Sequence, residues 1–79
     1  MSVSKKVRAV LTLSSRKQQD FAEYLGVSKQ ATSGKFSRDT FTAADLIKVA
    51  DLCGCTLEFK LPDGTVIPFE KSDLEKDSD

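Results

Sequence analysis

The 79-residue sequence has no histidine, only two cysteines, and no clean apolar run longer than four residues. Without histidine, a tetrahedral zinc site would need ligands from outside the chain, and the commonest general base is missing. Cys53 and Cys55 stand in a Cys-Gly-Cys step, a poor basis for a disulfide framework. Both read as reduced, small apolar residues near a helix end, and a redox role ranks below that. The apolar runs are too short to span a bilayer, so no membrane partner is expected. The opening Met-Ser-Val-Ser-Lys-Lys is not followed by the apolar stretch of a secretory signal. No glycine-rich phosphate loop and no buried-looking carboxylate pair occurs. The expectation is a chain that is not an enzyme and that holds no metal and no cofactor.

What is present is an ordinary globular mix, 39% hydrophobic and 30% charged, which at this length makes one small domain. The net charge of zero conceals a division. Residues 1–38 hold eight cations against Asp20 and Glu23, a net of +6, whereas residues 39–79 hold four lysines against ten carboxylates, a net of −6. Such asymmetry is a cue for a polyanionic partner on the basic side once those residues share a geometry.

Four helices are expected before residue 54. Val3, Val7, Val10 and Leu11 repeat as the buried stripe of a first helix, with Ser2 as its cap. Ser15-Arg16-Lys17-Gln18 matches an S-x-x-Q capping box opening a second helix that buries Phe21, Ala22 and Leu25 and stops at Gly26. Ser28 then caps a third helix to about Phe36, and Leu-Gly-Val-Ser between the two is the tight connection of a helix-turn-helix. Thr42 and Asp45 form a second capping signature, flanked by a hydrophobic staple of Phe41 and Leu46. Leu46, Val49, Ala50 and Cys53 continue the stripe of the fourth helix to Gly54.

The period then becomes two. Leu57, Phe59 and Leu61 alternate with Thr56, Glu58 and Lys60, and Thr65, Ile67 and Phe69 keep the same spacing of two after Pro62-Asp63-Gly64. A three-residue loop with Gly64 left-handed in a bulge pairs Leu61 with Thr65, Phe59 with Ile67 and Leu57 with Phe69, and gathers one apolar face. The organisation expected is therefore mainly α, four helices and a C-terminal β-hairpin at about 56–69, all within one domain at 1–69. Residues 70–79, with seven charges in ten positions, are expected to be an acidic, disordered tail.

The string Gln18-Gln19-Asp20-Phe21-Ala22-Glu23-Tyr24-Leu25-Gly26-Val27-Ser28-Lys29-Gln30-Ala31-Thr32-Ser33, continued loosely in Asp45-Leu46-Ile47-Lys48-Val49-Ala50, resembles the Cro/cI-type (XRE) helix-turn-helix family of phage repressors and small bacterial regulators. The resemblance covers roughly half the chain. It implies a lambda-repressor-like helical domain, dimeric binding to operator-like double-stranded DNA, and transcriptional control in a bacterial or phage-infected cytoplasm, on the nucleoid when bound. In such domains the start of the third helix enters the major groove, where an amide pairs with adenine and an ammonium reaches guanine acceptors. Lys29 and Gln30 are the base-reading candidates, with Ser33 a weaker one. Gln18 matches the family glutamine that touches the phosphate backbone, and Lys17, Lys35 and Arg38 would add phosphate neutralisation. The chain departs from the family at Lys35, where an apolar residue is usual and where Phe36 can take over. It departs also at Thr32, which replaces a valine or isoleucine, and at Gly34, a frequent reading position that has no side chain here.

Three functions fit these residues. The first is a sequence-specific regulator, a repressor of phage or mobile-element type. The second is an antitoxin that also grips a toxin, and the third an adaptor that keeps the fold without binding DNA. For assembly, Leu57, Phe59, Ile67 and Phe69 offer a homodimer face. Packing of that hairpin on the helices is the alternative.

Overall fold

The computed structural model describes residues 2–74. Within them, α1 (Val3–Leu13), α2 (Gln18–Leu25), α3 (Lys29–Arg38) and α4 (Ala43–Cys53) precede an antiparallel hairpin of β1 (Leu57–Lys60) and β2 (Val66–Phe69). The mainly helical fold with a C-terminal hairpin is the one the periodicities call for. Each helix gives one stripe to a shared core of Val7, Leu11, Phe21, Phe36 and Val49. Phe21, 0% exposed, stands at 6.4 Å from both Phe36 and Phe41, and Phe36 meets Phe41 edge-on at 5.0 Å. Removing the Phe21 ring would cost roughly 3–5 kcal/mol, the usual range for emptying such a site. Val3, the first residue of the expected stripe, stays exposed at the helix end, and Ile47, which was not expected to be buried, is buried.

The helix ends explain how the chain doubles back. The capping box expected at Ser15–Gln18 does not form, because Ser15 ends α1 rather than starting α2. Its φ is +58°, its N–H donates to the Thr12 carbonyl at 3.0 Å, and the Arg16 N–H donates to Leu11 at 2.8 Å. That is a Schellman ending, with a serine in the left-handed position that glycine usually takes. The start of α2 moves to Lys17, whose N–H donates to the Asp20 carboxylate at 2.7 Å. Gly26, Asp39 and Gly54 end the next three helices, also left-handed. At Thr42–Asp45 the expected reciprocal cap does form: the Asp45 N–H donates to the Thr42 hydroxyl at 3.1 Å, and the Thr42 N–H to the Asp45 carboxylate at 3.0 Å.

A clasp of long sequence separation ties α1 to the end of α3. The Ser4 hydroxyl, buried, reaches the Phe36 carbonyl at 2.8 Å and Asp39 Oδ1 at 2.7 Å, and the Ser4 N–H donates to the same carboxylate oxygen at 2.7 Å. Asp39 thus satisfies an orphan amide in the first turn of α1 while ending α3. The Ser4 hydroxyl, then its N–H, hold the Asp39 carboxyl below the ordinary carboxylate range.

The hairpin takes the expected register, with Leu57 opposite Phe69 and Phe59 opposite Ile67. Its loop closes through Leu61 N–H to the Thr65 carbonyl at 2.8 Å, and Gly64 sits at φ +93°. Leu57 and Phe69, at the root, are half-buried, and Phe69 lies 5.3 Å from the Phe59 ring. The distal half projects free: Phe59 is 60% exposed and Ile67 53%. The tail expected from residue 70 begins instead with a 3-10 turn, Lys71–Leu74, beside α4. The rest of it, 75–79, lies outside the described residues.

Candidate nucleic-acid interface

Helices α2 and α3 are joined by Gly26 and Val27, and Ser28 caps α3 through its hydroxyl, which accepts from the Ala31 N–H at 3.1 Å. One side of α3 is fixed inward by Thr32 and Phe36, 0% and 5% exposed. Thr32 stands in for an aliphatic residue because its hydroxyl donates to the Ser28 carbonyl at 3.1 Å, leaving its methyl to pack. The free side carries Lys29, Gln30, Ser33, Ser37 and Arg38, all exposed. The helix runs two residues beyond the expected end at Phe36, so Arg38 belongs to it.

Three of the expected contact residues come together. The Gln18 amide at the start of α2 donates to the Ser33 hydroxyl at 3.0 Å. Both line, with Gln19 and Lys29, a polar cleft of about 240 Å³ between the helices. Gln18 also borders a second groove of about 350 Å³, where Arg8, Arg16 and Lys17 meet. Arg8 is held there by the face of the Phe36 ring, 4.8 Å from its centroid, a cation–π contact that orients the guanidinium. Arg8, Arg16 and Gln19 are additions that residue spacing did not single out. Arg8 belongs to α1, and the chain reversal at Ser15 returns Arg16 and Lys17 to the groove that it lines.

Lys35 does not join this surface. Its ammonium pairs with Asp45 Oδ2 at 2.9 Å, the two side chains being 27% and 9% exposed. Here an ion pair occupies the place where the resemblance implies an apolar contact, and Phe36 fills the core. Burial pushes the Asp45 carboxyl up, but the hydrogen bonds from the Thr42 N–H and from Lys35 outweigh it and hold the group below its ordinary range. The salt bridge therefore ties α3 to the start of α4, leaving Lys29 as the exposed cation that lines the cleft and Arg8, Arg16 and Lys17 as those that line the adjoining groove.

The arrangement offers amide, ammonium, guanidinium and hydroxyl groups, which can donate to base edges and phosphates. Among the described residues no group of three or more His, Cys, Asp or Glu is placed to hold a metal ion. Cys53 is half-buried and Cys55 exposed, both free. Burial, then the neighbouring Cys53, pushes the Cys55 thiol up rather than activating it. No described helix is long and apolar enough to cross a membrane. Fold and surface together define a small helical domain in which the start of α2 and the outer side of α3 are polar, with cations supplied by Arg8, Arg16, Lys17 and Lys29. No protein-family model, curated protein or solved structure matches the chain.

Proposed function

We propose that the chain is a sequence-specific DNA-binding regulator of the Cro/cI (XRE) type, a repressor of phage or mobile-element character acting in the cytoplasm. In this reading α3 enters the major groove. The observation that carries it is the one-sided burial of α3: Thr32 and Phe36 face the core while Lys29, Gln30 and Ser33 stand free, and the Gln18–Ser33 hydrogen bond couples that free face to the basic start of α2. An amide and an ammonium at the N-terminal end of such a helix suit adenine and guanine edges, and the adjoining cations suit phosphates.

Selection of bound duplexes from a random pool tests this. An enriched site, bound with an affinity that falls steeply with salt, supports the proposal. A chain that enriches no site and shows no salt-dependent binding leaves the adaptor reading.

The regulator is proposed to work as a homodimer through the hairpin. One helix-turn-helix reads a few base pairs, and two recognition helices about 34 Å apart supply the rest. Phe59 and Ile67 are exposed as a cross-strand pair, and an apolar ribbon of this kind is marginal in water on its own. Sedimentation of the full chain against a Phe59→Ser, Ile67→Ser variant tests it. A wild type that is monomeric both free and on DNA refutes the dimer. The antitoxin reading rests on the same exposed pair, with a toxin as occupant, and stable co-purification of a defined protein partner in place of self-association would favour it.

A further inference from the structure

A glycine in the middle of a helix is a poor choice for stability, and Gly34 sits in the middle of α3, on the side facing away from the core. The space its missing side chain leaves is not empty. An ideal Cβ built on Gly34 would lie 2.6 Å from Nη2 of Arg38 and 3.3 Å from its Cζ. The Arg38 guanidinium therefore folds back one helical turn and occupies the position a side chain at residue 34 would take. This is the direction in which long helical side chains lean. Residues 30, 34 and 38 are spaced four apart and form one row, so the guanidinium lies in line with Gln30 on the outward side of α3. Arg38 is exposed, and the ion pairs among the described residues, Lys35–Asp45 and Lys71–Asp51, do not involve it. Its donors are thus free, and they are held along the helix rather than out beyond its end.

We propose that Arg38 is a specificity-determining residue that reads a guanine through the notch at Gly34, instead of serving as the phosphate contact its place near the helix end suggests. This deepens the DNA-binding proposal above and rests on it. The chemistry fits: a guanidinium presents two parallel donors that match guanine O6 and N7, a fork that lysine lacks. Gln30 and Arg38 would then read from the same row, so that a helix lacking a side chain at residue 34 still presents a reading group there.

The experiment uses the full chain, a site selected from a random pool by the wild type, and every single-base variant of that site. Affinities are compared for the wild type, R38K and G34A at several salt concentrations. The wild type is expected to prefer guanine at one position by between about 5- and 150-fold, the worth of one bidentate contact. R38K should lose that preference at that position alone while keeping the salt slope, because the charge remains. G34A should lose it as well, since the new Cβ displaces the guanidinium, yet its Tm should equal or exceed that of the wild type. Base preferences unchanged in R38K, or a selected site with no guanine, overturn the proposal and return Arg38 to the phosphates. A wild type that enriches no site overturns the DNA-binding reading itself, a different and distinguishable result.

Discussion

Replacing Lys35 by methionine separates a packing cation from one proposed to face DNA. The substitution keeps an unbranched chain one atom shorter and removes the charge that meets Asp45 at 2.9 Å. Asp45 then keeps the Thr42 N–H as a partner but loses its ammonium. Breaking a fully buried pair costs about 3–5 kcal/mol, and an exposed pair contributes about 0–1 kcal/mol. With one partner 9% and the other 27% exposed, the loss should fall between, at about 1–3 kcal/mol. Urea denaturation reads this directly, and each kcal/mol should also lower Tm by about 4–8 °C in a domain of this size. Acid provides a control on the cause. The folded Asp45 carboxyl titrates below its ordinary range, so its contribution is present above the unfolded value of about 3.9 and fades as pH falls through the lower folded value. The gap between wild type and K35M should close over that interval. Binding provides the contrast: K35M should keep the wild-type dependence of log K on log salt, whereas K17A should reduce the slope by about 0.9. A K35M protein of unchanged stability whose slope drops by that amount would refute the assignment, because Lys35 would then leave Asp45 for the phosphates.

Gln30→Ala should abolish preference at one base pair, a loss of roughly 1–3 kcal/mol of discrimination, without moving the thermal transition; unaltered selectivity would remove Gln30 from base reading. Ser4→Ala should destabilise the fold by about 1–2 kcal/mol in urea, since it deletes a buried hydroxyl and its bonds to Phe36 and Asp39; unchanged stability would make the clasp incidental. Asp39→Asn should reduce acid sensitivity. The wild-type carboxyl is held below its ordinary range, so stability from it is present above the unfolded value and lost as pH falls through the folded one. Identical acid unfolding midpoints would count against it.

Local order was legible and distant pairing was not. Gly26 and Gly54 announced two helix ends, and Thr42 with Asp45 announced a cap, because each signal acts within one turn of its own backbone. The hairpin register followed from alternation, since only one loop length put Leu57, Phe59, Ile67 and Phe69 on a common face. Ser15 misled for a related reason: a serine suits either side of a chain reversal, and here the preceding helix claimed it. The Ser4–Asp39 clasp joins residues 35 apart in sequence, and no periodicity points to such a pair. Among the expected DNA contacts, Gln18 and Lys29 at the helix starts converge with Ser33, one turn further along α3, because capping and burial fix those turns. Lys35 and Arg38 depend on which neighbour a long side chain reaches, Asp45 in one case and the space over Gly34 in the other, and composition carries no record of that choice.

The shared core is drawn wholly from the four helices, with its last member at Val49, and the hairpin rests against it only by its root. Opening of the strands therefore does not require opening of the helical body, and their amides should exchange with solvent through a separate, lower-energy fluctuation than those of α1–α4. A ribosome that has released the first 54 residues has already delivered every member of that core. Substitutions at Phe59 or Ile67 can accordingly accumulate and alter what the ribbon touches while α3 keeps its shape, so that in the proposed regulator pairing preference and sequence preference would drift independently along one lineage.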